Sequence, residues 1–228
     1  MKGKFYAVGV GPGDPELLTV KAINTIKNCQ VIAVPKSGAA QNVALKIARA
    51  YTGGKEILEC HMPMIKEREE LNRCHDRSAD VIAAVLDQGR DVAFLTLGDP
   101  AIYSTAMYVH SRLTQRGYDT SMVPGIPSFC GAAASLNTSL CEGEETLHII
   151  PATYKGTMAE QRDGAKVLMK SGKSIMQMKE QLAEQKAMMV ECATMEEEKV
   201  YRDLKDLKEQ SGYFSLIIIP PADRQKEI

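Results

Sequence analysis

Short apolar runs and longer periodic segments alternate through the first half of the chain. Runs at residues 5–10, 31–34 and 92–97 carry no charged side chain, and two more polar runs stand at 56–60 and 119–123. Uncharged runs of this length suit strands buried on both faces of a parallel sheet. Between them, apolar residues recur at helical spacing. Leu17, Leu18, Val20, Ile23 and Ile26 mark one helix, residues 42–51 a second, and Leu71, Val81, Ile82, Val85 and Leu86 a third over 68–88. A fourth follows the 92–97 strand and runs to about Arg116, and small residues at 129–136 form a fifth. The punctuation agrees. Asp14 is placed to cap a helix that Pro15 opens, Ser128 to cap the last one, and Gly53-Gly54, Gly89 and Gly117 to close others. This β–α alternation predicts a doubly wound, mostly parallel sheet in an N-terminal domain of residues 1–123.

The second half has another texture. Residues 137–145 are polar and acidic, like an exposed connection. Strands are predicted at 146–152, 174–178, 187–193 and 215–219, and helices at 158–170 and 195–210. Glu196-Glu197-Glu198 then suits a helix N-terminus and a solvated face. The prediction is a second α/β domain, a mixed sheet with helices over 124–228, in which 124–145 form a connecting helix and linker. Only residues 179–186 separate two of its strands, whereas a parallel crossover needs about a dozen residues. Either these strands are antiparallel or residues are missing here, and the second reading is favoured.

Twenty-eight Lys and Arg balance 29 Asp and Glu, and the chain has no Trp. Neither a basic excess nor a stacking platform points to nucleic acid. No apolar run reaches the roughly 18 residues of a membrane span. The apolar N-terminal segment breaks at Gly11-Pro12-Gly13-Asp14, so an export signal is rejected and a cytoplasmic protein is expected. The six cysteines form no CxxC pair. Cys60-His61 and Cys74-His75 tempt as metal ligands, but neighbouring strand residues point to opposite faces, and no metal site is expected.

Candidate chemistry gathers at strand ends. Gly9-Val10-Gly11-Pro12-Gly13 suggests a dinucleotide loop, yet its spacing is GxGxG rather than GxGxxG. Pro12 and Pro15 remove N–H groups that a pyrophosphate would need. Residues 30–36 offer no acid for a ribose. GxSxG and GxxxxGK[ST] are absent, and the four histidines are dispersed. The second strand end is Gly98-Asp99-Pro100, followed by the small residues Ala101, Ser104, Thr105 and Ala106. Ligands of open parallel sheets sit outside such carboxyl ends.

Three stretches in order, VGVGPGDPELLTVKA at 8–22, LTLGDPAIYSTAMYV at 95–109 and VPGIPSFCGAAA at 123–134, resemble the tetrapyrrole (corrin/porphyrin) methyltransferases. The Leu-Gly-Asp-Pro-x-x-Tyr-Ser-Thr pattern, Val-Pro-Lys-Ser at 34–37 and Met178-Lys179 resemble the branch that methylates carbon 20 of precorrin-2 or cobalt-factor II. The resemblance implies two α/β domains with S-adenosylmethionine (SAM) folded into the cleft between them, and a homodimer. Carried over by motif, the SAM contacts are Pro12, Leu97, Gly98, Asp99, Ile102, Ser104, Thr105, Ser128 and Phe129. Met178, Ala193 and Thr194 would line the adenosine from the second domain.

A phosphate-free ligand bearing a sulfonium suits a proline-containing loop that offers carbonyls, and Asp99 suits a cation. The implied reaction is direct methyl transfer to a nucleophilic meso carbon. Tyr103 or water is the candidate proton acceptor, and Lys36 and Lys179 the candidate partners of the tetrapyrrole carboxylates. Other readings are methylation of another ring carbon or of a different acceptor, a nucleotide-binding oxidoreductase, and a SAM sensor without turnover.

Overall fold

Strands β1 (Phe5–Gly9), β2 (Val31–Lys36), β3 (Glu56–His61), β4 (Val92–Thr96) and β5 (Thr120–Val123) form one sheet in the order β3-β2-β4-β1-β5, and every pairing is parallel. The computed structural model describes residues 1–36, 42–63, 65, 67–152, 163–171 and 175–226. Contacts divide the chain into two units, Met1–Ser128 and Phe129–Ile228.

In the first unit the strand period of two sorts side chains to opposite faces. Phe5, Ala7, Val31, Ala33, Val92 and Phe94 face α3 (Arg68–Asp87) and α4 (Ala106–Gln115), which bring Ile82, Leu86, Val109 and Leu113. Val8, Val10, Ile32, Val34, Ala93 and Leu95 face α1 (Val20–Asn28) and α2 (Val43–Ile47), which bring Ala22, Ile26 and Ile47. All five residues of β4 are buried, as an uncharged central strand requires. Each buried large apolar side chain contributes roughly 1.5–3 kcal/mol.

Two helix starts fall later than the sequence predicts. Asp14 and Pro15 open only a 3-10 turn, Pro15–Leu17, with the Glu16 N–H donating to Asp14 Oδ1 at 2.8 Å. Thr19 is the cap of α1, because its hydroxyl accepts the Ala22 N–H at 3.1 Å and stops the turn from running through. The helix after β4 begins at Ala106, since Tyr103 takes the left-handed conformation (φ 49°) and interrupts any earlier turn.

The second unit begins with α5 (Ser128–Leu136), which straddles the boundary, and holds β6 (Leu147–Pro151), β7 (Ala165–Met169), α6 (Ile175–Gln181), β8 (Met188–Glu191), β9 (Lys199–Tyr201) and β10 (Ser215–Ile219). The strand order is β6-β7-β10-β8-β9; β6–β7 is parallel and the other pairs are antiparallel. This is the expected mixed sheet, but three of its predicted elements are wrong.

The predicted helix at 158–170 is strand β7 where it is described, because Ala165, Lys166, Val167 and Leu168 are all buried between two strand neighbours. Residues 158–162 lie outside the described set, as do Ser37 and Ser174. The predicted strand at 174–178 is helix α6. Ile175, Met178 and Leu182, spaced three and four apart, give it one apolar face against Leu168, Met189 and Ile217. The predicted helix at 195–210 resolves into a turn, edge strand β9 and a 3-10 turn, Leu204–Asp206, that the Asp203 carboxylate caps. The short connection at 179–186 is therefore not a strand crossover. Between β7 and β8 the chain passes through α6, both strands pair with β10, and no residues need be missing.

Candidate active site

In the first unit the loops after β1, β4 and β5 leave the same edge of the sheet, because the three strands are parallel neighbours. Backbone pairing closes these loops on one another. The Gly98 N–H donates to the Gly11 carbonyl at 2.8 Å, and the Gly11 N–H returns to the Gly98 carbonyl at 3.3 Å. The Gly98 turn needs φ +72°, which a side chain would strain. The loop after β5 comes closer still. A Cβ on Gly125 would lie 2.3 Å from the Gly98 carbonyl oxygen and 2.8 Å from the Gly9 carbonyl carbon.

Asp99 locks this arrangement. Its Oδ1 accepts the Ala101 N–H at 2.7 Å and its Oδ2 accepts the Gly125 N–H at 2.9 Å. Asp99 thus caps its own turn and holds the third loop, and makes no cap on α4. Ser104 faces back to the strand, its hydroxyl 2.8 Å from Thr96 Oγ1, and also accepts the Ala106 N–H at 3.1 Å. Leu97 and Ile102 are half-buried, Thr105 is exposed, and Pro12 is buried beside the Gly11 turn. Tyr103 is 47% exposed in its left-handed conformation, a backbone strain of about 1–3 kcal/mol. Ser128 opens α5, with its N–H 3.6 Å from where a Gly98 Cβ would stand, and Phe129, the next residue of the helix, is buried. The structure thus gathers Pro12, Leu97, Gly98, Asp99 and Ser128 around three interlocked loops, with Ile102 to Thr105 in the adjoining turn.

In the second unit Met178 is half-buried on α6, and Ala193 and Thr194 follow β8. Ala193 is buried and is flanked by two left-handed residues, Cys192 (φ 53°) and Thr194 (φ 64°). The Thr194 N–H donates to Glu198 Oε2, which also accepts the Ser135 hydroxyl at 2.7 Å. Glu198 is therefore a bridging side chain, which an uninterrupted Glu196-Glu197-Glu198 run gives no reason to expect.

The two candidate lysines have other engagements. Lys36, at the end of β2, pairs with Glu59 on β3, both about half exposed. Lys179 lies within helix α6, not after a strand, and its Nζ donates to the Lys205 carbonyl at 2.7 Å and the Leu207 carbonyl at 2.6 Å. Cys60 and Cys74 are buried, and burial pushes the Cys60 thiol up to about 12. Among the described residues no cluster of three or more His, Cys, Asp or Glu is arranged to hold a metal ion.

The donor set of the first unit's sheet edge shows what it accepts. The N–H groups of Gly11, Gly98 and Gly125 are spent inside the loops, and Pro12, Pro100, Pro124 and Pro127 have none. Such an edge is a poor cradle for phosphate. Carbonyls, hydroxyls, the Asp99 carboxylate and the N–H groups of the first turn of α5 remain, a set that fits a ligand with a cationic sulfur, hydroxyls, an amine and a carboxylate.

Comparison with known proteins agrees with this chemistry. The profile of the tetrapyrrole (corrin/porphyrin) methylases matches residues 4–208. The chain is 42% identical over 149 residues to a probable cobalt-precorrin-2 C(20)-methyltransferase of Methanocaldococcus jannaschii, an alignment covering 65% of this chain and 64% of that protein. It is 31% identical over 238 residues to a precorrin-2 C(20)-methyltransferase of a Sinorhizobium species, covering 96% and 95%. In fold it is similar to the uroporphyrin-III C-methyl transferase of Thermus thermophilus complexed with S-adenyl homocysteine, with a TM-score of 0.69 at 20% identity, covering 97% of this chain and 99% of that one. No described helix is long and apolar enough to cross a membrane.

Proposed function

The chain belongs to the tetrapyrrole (corrin/porphyrin) methylases, and from that premise we propose that it methylates carbon 20 of precorrin-2 or of its cobalt-bearing counterpart in cobalamin biosynthesis, with SAM as donor. The observation that carries this reading is the identity with C(20)-methyltransferases, 42% in one case and 31% across nearly the whole chain in another. A sheet edge whose loop glycines spend their N–H groups on one another, and whose prolines have none, supports it from the side of the chemistry.

SAM would supply a methyl group on a sulfonium cation, its methyl–sulfur bond breaking as the carbon–methyl bond forms and S-adenosylhomocysteine leaving. The chain has to hold that methyl against the ring carbon, which is already nucleophilic through conjugation with the pyrrole nitrogens. Alignment in a well-held pair contributes roughly 7–11 kcal/mol. The Gly11–Gly98 bridge and the Asp99–Gly125 bond supply the rigidity, since they fix Pro12, Leu97, Gly98 and Ser128 against one another. Asp99 also places a negative charge where a cation is to rest, while its oxygens stay bonded to backbone. Ile102, Ser104 and Thr105 are the further contacts of this unit. Phe129, Met178, Ala193 and Thr194 are those of the second.

For the ring carboxylates, Lys36 is the better placed lysine. Its pair with Glu59 is exposed and worth about 0–1 kcal/mol, so a substrate carboxylate exchanges for it at little cost. Lys179 already spends its ammonium on two carbonyls. The proton lost from carbon 20 passes to water, directly or with the Tyr103 hydroxyl as a relay. A cytoplasmic homodimer completes the reading, the dimer being what the family resemblance implies.

Incubation with isotopically labelled SAM and either metal-free precorrin-2 or cobalt-factor II, read by mass spectrometry and carbon NMR, tests the proposal. One methyl gained at carbon 20 of either ring is the expected result. A methyl at another carbon overturns the position, and SAM bound without transfer to either ring overturns the enzyme.

A further inference from the structure

We infer that Glu198 is a positioning residue for the adenosine end of SAM, an inference that rests on reading Ala193 and Thr194 as adenosine-lining residues. Glu198 touches neither ligand nor reacting atoms in this reading; it acts through the turn after β8. That turn is unusual in its backbone. Cys192 and Thr194, neither of them glycine, both stand in the left-handed region on either side of buried Ala193. Such conformations persist only where the surroundings hold them.

The surroundings here are specific. Two successive turns, with the Met195 N–H on the Cys192 carbonyl at 2.9 Å and the Glu198 N–H on the Met195 carbonyl at 3.1 Å, carry the chain back on itself. They bring the Glu198 carboxylate onto the Thr194 N–H four residues earlier. The same Oε2 accepts the hydroxyl of Ser135, 63 residues away on α5. Ser135 also stands 3.1 Å from the Gly131 carbonyl, but its single proton is better used on the charged and nearer oxygen. Glu198 thereby ties the strained turn to α5, the helix whose first residues, Ser128 and Phe129, are themselves proposed SAM contacts. A charge-assisted bond to a backbone N–H keeps Thr194 left-handed and so sets the direction of the Ala193–Thr194 backbone.

Steady-state kinetics on Glu198→Ala and Glu198→Gln test this. Glu198→Ala is expected to raise the KM for SAM about tenfold, with kcat nearly unchanged and the tetrapyrrole KM unmoved. Glu198→Gln keeps a carbonyl oxygen for both donors and is expected to stay within about threefold of the wild type. Ser135→Ala should raise the KM in the wild-type background and add nothing in the Glu198→Ala background.

A purely structural residue would instead lower the active fraction, and with it kcat, at constant KM; that result, or a wild-type KM in Glu198→Ala, overturns the inference. If Glu198→Ala does not fold, Glu198→Asp carries the test, because its shorter side chain withdraws the carboxylate from Thr194: a raised SAM KM supports the role and a wild-type KM overturns it. Hydrogen exchange on the wild type separates the two levels. Failure of SAM to protect the amides of residues 193 and 194 overturns the adenosine reading itself. Protection there, with a wild-type KM in Glu198→Ala, overturns the role of Glu198 alone.

Discussion

Asp99 Oδ2 accepts the N–H of Gly125 at 2.9 Å, a bond between loops 26 residues apart in sequence. With the other oxygen on the Ala101 N–H, one carboxylate sets both its own turn and the position of the chain that enters α5. Removing it in Asp99→Ala frees two backbone donors. Hydrogen bonds to a charged group contribute about 1.5–3 kcal/mol, so a loss of that order in unfolding free energy is expected, together with about tenfold weaker SAM binding. Asp99→Asn, which retains one carbonyl acceptor, should fall between. Denaturant melts and titration calorimetry check both quantities. Lowered stability with unchanged affinity would confine Asp99 to tying loops.

Gly125→Ala should be more disruptive than a one-carbon change suggests. The added Cβ would stand 2.3 Å from the Gly98 carbonyl oxygen and 2.8 Å from the Gly9 carbonyl carbon, and neither obstacle is a side chain that can swing away. Overpacking of this kind costs about 1–3 kcal/mol. A lower melting temperature and loss of SAM affinity, with the circular dichroism of the folded state retained, are expected. Gly53→Ala, where nothing lies within 4 Å, is the comparison variant and should keep both wild-type values.

The two units differ in how far their sequence could be read. Runs such as Val31 to Val34 and Val92 to Thr96 are buried on both faces, and each is followed by a helix with its own breaker, so strand and helix separate cleanly. In the second unit Ala165–Met169 holds Lys166 within its apolar run, and only Ile175, Met176 and Met178 of Ile175–Gln181 are apolar, so neither separates cleanly as strand or helix. Only their partners decide between them: β7 lies between β6 and β10, while α6 lays one face on the core. The spacing of Ile175, Met178 and Leu182 was the available signal for the helix. At the site, the strand-end loops were legible because Gly, Asp and Pro have few other uses there. Glu198 was not, because a run of three glutamates looks like a solvated face until the turn after β8 folds one of them inward.

Two buried thiols give the fold an alkaline limit. Burial pushes Cys29 and Cys60 up to about 12 in the folded chain, from an ordinary value near 9. Below that ordinary value neither state ionises them and stability is unaffected. Between about 9 and 12 the unfolded chain releases protons that the folded chain keeps, so stability falls as pH rises through this window. Urea midpoints measured from pH 8 to 11 should decline, and the slope should be shallower in the Cys29→Ala, Cys60→Ala double variant even though cavities lower its stability overall. At pH 8 a thiol-alkylating reagent should modify exposed Cys130 and Cys141 well before Cys29 and Cys60.

An acid limit comes from His75. It is 4% exposed on α3, its ring lies flat on that of Tyr108 with centroids 4.5 Å apart, and its Nδ1 is buried without a hydrogen-bond partner. Burial foremost, and then the Arg112 guanidinium, hold its pKa below the usual 6.5, against the pull of Asp76. A depressed histidine has a definite sign. Above 6.5 it is neutral in both states; as pH falls below 6.5 the unfolded chain takes up the proton first, and stability is lost progressively toward the folded pKa. His110, lowered by burial as well, adds to the same slope. His75→Phe keeps an aromatic ring against Tyr108 and removes one of the two titrations. Between pH 7.5 and 5.5, a range above most carboxylate titrations, its urea midpoint should fall less than that of the wild type. Parallel curves for the two proteins would show that His75 does not titrate in this range.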